Sequence, residues 1–426
     1  MTDYSKYNAD RAVYTFSIQP NYHSMAANPS SSCRSGNLPS ALNNISDLNF
    51  LDPNCRLFHT NYALLSAGHF SNGSTPPGIA TTRDRSRTML YGDSGGYQII
   101  TGVLPWRGDQ TRAYILRWLE QHCDVAMTLD VPTRAIDNPR SQFRDFPTCL
   151  NTTLANLAYF QRNRTPGKIK LLNVLQGRDR READAWYQHV KAFKFEGWAF
   201  AGKTRLNFAD MCRRLIIMIR DGEIGPDQPL IHVLGTCRLE AAVILTAIQR
   251  ELRRLVHPSI TITYDASTPA LLTSQYAGYG PPIFTPNDFR LPTGRFPRSH
   301  HYVGSQARFP FDSAIGRSLR LGDLCVNNRF GAQAAWDGWS GVFLVNHNLD
   351  LLLSAIDQAH RILDMRPVDA QEFAPVWMIE ALEGIRDIFG ANNPLNAISR
   401  HRAALTRLVS TPDEDDSDDG RGLLAA

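Results

Sequence analysis

The sequence lacks the features that mark several large protein classes. No apolar run among its 426 residues reaches the roughly 18–20 needed to span a bilayer, so no membrane-crossing helix is expected. Met1–Arg11 is polar, with no apolar segment behind a basic start, which argues against a secretory signal and gives a cytoplasmic expectation. The seven cysteines, at positions 33, 55, 123, 149, 212, 237 and 325, are odd in number, scattered, and form no CxxC or CxC pair. That spacing argues against a disulfide framework and for reduced thiols. No GxGxxG or GxxxxGK(S/T) follows an apolar run, so no nucleotide-phosphate loop is expected. A strong charge imbalance is also missing, the net charge being +4. That figure hides an asymmetry, because six acidic residues crowd into 413–419 and leave 44 basic against 35 acidic side chains in the first 410 residues. The body can therefore hold phosphates electrostatically, and the acidic tail, 412–426, reads as disordered.

What is present is ordinary globular composition, 43% apolar and 20% charged, with a rhythm of short apolar runs. Residues 20–50, rich in Ser, Asn and Pro, read as a long loop. Strands are expected at Ala12–Ile18, Arg56–Leu64, Thr88–Tyr91, Asp124–Leu129, Lys168–Leu175, Gly197–Phe200, Pro229–Leu234 and Ile260–Tyr264. Helical spacing occupies Thr111–His122, Arg181–Phe193, Phe208–Arg220 and Arg238–Leu255 between them. Eight such units predict an α/β fold, a (β/α)8 TIM barrel, with a doubly wound open sheet as the competing topology. Residues 280–311 read as irregular, a helix is expected around Leu349–Leu363, and two more at Gln371–Phe389 and Asn396–Val409. The domain plan is an N-terminal extension with the first strand (1–54), a barrel (55–365) and C-terminal helices (366–411).

Asp93, Asp130, Gln176 and Asp265 each follow the apolar run of a different strand. In a barrel those ends converge on one mouth, where catalytic groups gather. Gly92-Asp-Ser-Gly-Gly-Tyr-Gln98 combines a carboxylate, paired glycines and an aromatic, which suits close backbone approach and stacking on a flat ligand. A tight turn capped by Asp93 is the competing explanation of that segment alone.

Taken in order, these segments resemble the queuine tRNA-ribosyltransferase (tRNA-guanine transglycosylase) family. Asp93-Ser-Gly-Gly-Tyr-Gln98 is similar to its DSGG(F/Y)Q, and Met127-Thr-Leu-Asp130 to its apolar-run-then-Asp segment. Asn173-Val-Leu-Gln-Gly177 resembles its VQG, Gly197-Trp-Ala-Phe-Ala-Gly202 its GLAVGE, and His232-Val-Leu-Gly235 its YLMG. Thr263-Tyr-Asp265 is similar to its MFD, and Phe343-Leu-Val-Asn-His-Asn348 to the end of its zinc region. The resemblance implies Asp265 as nucleophile and Asp93 as general acid/base. It also implies base-binding roles for Ser94, Tyr97, Asp130, Gln176, Leu234 and the backbone at Gly197 and Trp198. No cofactor is required for that chemistry; zinc is possible, with Cys325 and His347 as remaining ligands, although two ligands do not make a structural site.

Departures from the family pattern point to a different polynucleotide. Gly202 stands where GLAVGE ends in Glu, which suits a neutral 7-substituent such as a nitrile. The segment after Asp265 lacks the basic Arg-Asn-Gly stretch of the tRNA enzymes. The expectation is the DNA-modifying branch (DpdA), which exchanges guanine in DNA for 7-cyano-7-deazaguanine (preQ0). A divergent tRNA-guanine transglycosylase is the alternative. Expected partners are DNA (or tRNA), the 7-deazaguanine base and an accessory protein. A catalytically inactive paralog and a simple glycoside hydrolase are less well supported, since both carboxylates are kept and suit base exchange.

Overall fold

The computed structural model describes residues 2–7, 9–27, 38–40, 42–70, 75–202, 205–326 and 335–410; the expected acidic tail lies outside them. Eight parallel strands form a closed barrel: β1 (Val13–Ser17), β2 (Tyr62–Ser66), β3 (Met89–Asp93), β4 (Val125–Met127), β5 (Lys170–Leu175), β6 (Gly197–Phe200), β7 (Leu230–Val233) and β8 (Thr261–Ala266). Each pairs with its sequence neighbours, and β8 closes the ring by pairing Thr263 with Val13 and Asp265 with Thr15. The fold is thus α/β, a TIM barrel, and not an open doubly wound sheet. The second strand starts later than its apolar run, because Phe58–His59 pairs with Thr2–Asp3 in a separate two-stranded sheet.

Six long helices pack outside the barrel: α1 (Asp109–His122), α2 (Phe146–Asn163), α3 (Arg180–Val190), α4 (Phe208–Arg220), α5 (Leu239–Leu255) and, after a short α6 (Thr268–Ser274), α7 (Gly338–Leu363). Among the described residues, the first crossover carries the short helix Pro20–Met25, the turn Ile45–Leu48 and the strand Phe58–His59, and the second the turn Ala67–Phe70. Beside β1, Phe16, Tyr22, Phe50 and Phe58 stack edge and face at centroid separations of 5.9–6.3 Å. Such aromatic clusters bury large apolar areas without needing helical periodicity.

Helix α7 begins well before the apolar stripe that predicts it. Asp337 caps it by accepting from the Ser340 amide, and the polar run 346–350 lies within it, fully buried. Asn346 donates to the Tyr22 hydroxyl, Asn348 accepts from the Tyr279 amide and donates to the Pro269 carbonyl, and Asp350 accepts from Tyr4. The segment expected to end a zinc region is therefore a helix interior in which His347 and Asn348 are engaged by protein and Asn346 Oδ1 has no partner among the described residues. The stretch 280–311, expected to be irregular, holds part of two antiparallel pairs, β9 (Ala277–Tyr279) with β12 (Thr293–Arg295) and β10 (Ile283–Thr285) with β11 (Asp288–Arg290). At the C-terminus α8 (Val376–Gly390) packs on α5, and Pro394–Arg400 packs on α4. No helix among the described residues is long and apolar enough to cross a membrane.

Inside the barrel, alternate residues face inward and form layers. Leu64, Tyr91, Val125, Met127, Leu172, Val174 and Ala199 make an apolar interior cluster. Register places Gly197 between Leu172 and Leu230, at the N-terminal end of β6. A Cβ there would lie 2.1 Å from the Leu230 carbonyl oxygen. Gly197→Ala is accordingly expected to cost about 1–3 kcal/mol of stability by overpacking, read as a lower thermal midpoint; a normal midpoint with weakened ligand binding would contradict this placement.

Candidate active site

The C-terminal ends of the strands bring four of the expected polar groups to one mouth. Asp93 ends β3, beside its register partner Ser66 at the end of β2, and Ser66 Oγ donates to Asp93 Oδ2 at 2.6 Å. The Gly95 amide also bonds the Asp93 carboxylate. Burial pushes the Asp93 carboxyl above the ordinary range, and the nearby Asp265 charge adds to that, against the hydrogen bonds from Ser66 and Gly95. His69, in the loop after β2, acts on it electrostatically in the opposite sense to Asp265.

Asp265, near the end of β8, is 7% exposed. Its Oδ1 accepts from the Gly235 amide at 3.1 Å and lies 3.1 Å from His232 Nε2. Asp130 and Gln176 follow β4 and β5 and meet directly, Gln176 Nε2 donating to Asp130 Oδ2 at 2.8 Å. Desolvation raises Asp130 to about 7, with the Asp93 charge contributing and the Gln176 bond opposing. Near neutral pH it is therefore divided between acid and carboxylate, able to donate or accept a hydrogen bond.

The paired glycines of the Asp93 segment have a packing cause. Gly95 has φ +83°, and a Cβ there would meet the Gly68 backbone at 2.9 Å; at Gly96 it would meet the Asp130 carbonyl oxygen at 2.7 Å. These residues let the loops after β2, β3 and β4 touch, which draws Asp93 and Asp130 to one place. Gly202 does the same between β5 and β6, with φ +79° and a virtual Cβ 2.7 Å from the Gly177 carbonyl oxygen and 3.2 Å from Gln176 Oε1.

Other expected base contacts lie differently. Ser94 is buried and donates to the Thr128 carbonyl at 3.2 Å, away from a ligand. Trp198 faces outward from β6, fully buried, its indole N–H donating to the Glu223 carbonyl. With Gly197 at the opposite end of that strand, neither reaches the mouth; Ala201 and Gly202 follow the C-terminal end of β6 instead. Tyr97 is half-buried, one face covered by the Arg134 guanidinium 5.3 Å from its centroid. Leu234 caps the interior cluster from the mouth side.

Sequence inspection did not single out Ser66, His69, His232 or Arg205. Arg205 donates to the carbonyls of Gly202 and Gly235, tying the loops after β6 and β7 together and so fixing the Gly235 amide on Asp265. Inward-facing parity was the available signal for two of them, since Tyr62, Leu64 and Ser66, and Leu230, His232 and Leu234, alternate along their strands.

The residues at the expected zinc position do not fit the ion. His347 Nδ1 is 2.8 Å from Ser313 Oγ and its Nε2 3.0 Å from the Tyr279 carbonyl, so both ring nitrogens are engaged by protein. Phe296, Phe309 and Phe311 surround it, and Cys325 donates to the Pro297 carbonyl. Among the described residues no group of three or more His, Cys, Asp or Glu is placed to hold a metal.

Two measurements follow. Chelator is expected to leave the thermal midpoint unchanged; a drop restored by zinc would contradict the engagement of both His347 ring nitrogens by protein. Because burial raises Asp130 above its unfolded value, the native state holds a proton that the unfolded state has lost, from the ordinary carboxylate range up to about 7. Stability therefore falls as pH rises through that window. Asp130→Asn removes this contribution and should lessen the loss in unfolding free energy between pH 5 and pH 8 by on the order of 1–2 kcal/mol in urea titrations. Asp93, shifted the same way, keeps part of the slope. Barrels of this kind commonly carry enzymes, with their chemistry at this end. Compared with known proteins, the chain matches no family model and no curated protein.

Proposed function

We propose that the protein is a base-exchanging transglycosylase that replaces guanine in DNA with 7-cyano-7-deazaguanine through a covalent glycosyl ester on Asp265. The observation that carries this is the contrast between two neighbouring carboxyls at one mouth. Asp265 is fixed by donors on a single oxygen, as a nucleophile should be, while Asp93 is pushed toward holding a proton, as a general acid should be.

In the first step the free oxygen of Asp265 attacks C1′ of the target nucleotide. The C1′–N9 bond breaks, and guanine departs with its electron pair and a proton from Asp93. In the second, Asp93 takes the N9 proton of the incoming base, N9 attacks C1′, and the ester bond returns its pair to Asp265. Two inversions give retention, the logic of retaining glycosidases with a heterocycle in place of water. Asp130 and Gln176 supply adjoining donor and acceptor groups for the base edge. A backbone packed as tightly as that at Gly202 has no room for the family's glutamate, which favours a neutral substituent over a cationic one.

A polynucleotide substrate is supported by charge. Residues 277–326 carry six arginines and three aspartates, and all six arginines are exposed. The β10–β11 hairpin of this segment faces a cleft of about 300 Å³ against Cys237–Glu240, where α5 begins on the mouth side of the barrel. Such a surface suits phosphate contacts, and the enzyme must also extrude its target base, at a cost of a few kcal/mol.

The test is incorporation of labelled guanine or preQ0 by purified protein given duplex DNA or tRNA. Label is expected in DNA, with Asp265→Asn reducing exchange by more than about 10³-fold and Asp93→Asn by about 10²–10⁴-fold. Label in tRNA alone would replace DNA with RNA as the substrate, and no label in either would reject base exchange.

A further inference from the structure

His232 lies in the barrel interior, on β7, with no solvent exposure. A buried imidazole is retained at little cost only if both ring nitrogens have partners. Here they do. Nδ1 is 2.7 Å from Thr263 Oγ1 on the adjacent strand, Nε2 is 3.1 Å from Asp265 Oδ1, and the ring stacks on Tyr91 at 5.3 Å and 23°. The Tyr91 hydroxyl in turn hydrogen-bonds the Thr263 side chain.

The chain has one consistent direction. Asp265 as a carboxylate can only accept, as it does from the Gly235 amide, so the Nε2 that faces the same Oδ1 is a donor. In a neutral ring the other nitrogen is then the acceptor, so Nδ1 takes the Thr263 hydroxyl hydrogen at 2.7 Å. The imidazole then carries its single proton on Nε2, pointed at Asp265.

We propose that His232 is the positioning residue of the nucleophile: its Nε2–H and the Gly235 amide both fill Oδ1 of Asp265, which leaves Oδ2 as the oxygen that attacks. Among the described residues, both hydrogen bonds to the Asp265 carboxylate fall on Oδ1. After attack Oδ1 becomes the carbonyl oxygen of the ester, still held by the same two donors. They then stabilise the charge that returns to the carboxylate when C1′ leaves in the second step. This rests on the transglycosylase reading for its chemistry, though not for the tautomer.

Among the described residues, the titratable groups around Asp265 are His232 from β7, Asp93 and Tyr91 from β3, and, beyond Asp93, His69 and Asp130. Removing a donor to a carboxylate makes it harder to ionise, so the acid limb of kcat/KM should move to higher pH. His232→Phe keeps a planar ring and removes the donor. It is expected to lower kcat/KM for base exchange by about 10- to 100-fold and to raise the acid limb by about one pH unit. His232→Gln, which retains a side-chain N–H, should recover most of the activity and return the limb toward wild type. A loss of activity with the limb unmoved in both variants would mean a packing role only and would overturn the proposal.

A second readout needs no turnover. The histidine 15N–1H spectrum of the wild type should show one neutral ring protonated on Nε2 that disappears in His232→Gln, and that changes tautomer or broadens in Thr263→Val. A ring protonated on Nδ1, or on both nitrogens at neutral pH, would overturn it. Should the wild type exchange no base at all, the transglycosylase reading fails and the spectrum still decides the tautomer.

Discussion

The pairing of β8 with β1 is the contact on which the rest of the molecule depends. It turns a row of parallel strands into a ring, and in doing so sets Asp265 beside Thr15 with its side chain inward, level with the mouth. A slip of one residue would turn Asp265 outward into the helix layer, because side chains alternate strictly along a strand. The same ring brings β3 across from β8, so that residues 172 positions apart in sequence come to share an electrostatic environment.

That placement has a cost that the interior has to meet. Barrels of this type normally fill their layers with branched apolar residues. Here β7, β8 and β3 put His232, Thr263 and Tyr91 into one region of the interior, and they satisfy one another. Polar groups in that position are tolerable only as a complete network, since each unmet donor or acceptor costs about 1–3 kcal/mol. The network ends on Asp265, and Arg205 reaches the same carboxylate from outside by bracing the Gly235 loop. Support from two directions leaves one carboxylate oxygen uncommitted, whereas Asp93 is held by a single hydroxyl and one amide, under the repulsion of its neighbour. Environment, with no difference in chemical type, divides the two aspartates into nucleophile and proton carrier.

Much of this was legible in the residues. The eight strands show as apolar runs because a barrel interior and its helix layer bury both faces. Asp93, Asp130, Gln176 and Asp265 show because polar residues directly after such runs must cluster at one end. What stayed hidden had physical reasons. Helix α2 carries Asn151, Thr152, Thr153 and Asn156, residues of modest helix propensity that blur its stripe. The first half of α7 was not expected as helix because its polar run is paired with Tyr4, Tyr22 and Tyr279, contacts from distant sequence. The strand Gly197–Phe200 is read correctly, but the resemblance puts base contacts at the backbone of Gly197 and Trp198, whereas Gly202, beyond the other end of β6, stands beside Gln176. His232 opens the segment likened to YLMG but stands where that motif has Tyr, and its importance comes from what lies across the strand.

The central claim is that a sugar carbon becomes bonded to Asp265 during turnover. Quenching the wild-type reaction on end-labelled DNA with denaturant, then digesting and analysing peptides by mass spectrometry, tests it directly. The account predicts a denaturant-stable DNA–protein adduct on the peptide containing Asp265, discharged when fresh base is added before the quench. Base exchange that proceeds with no adduct on that side chain would contradict it.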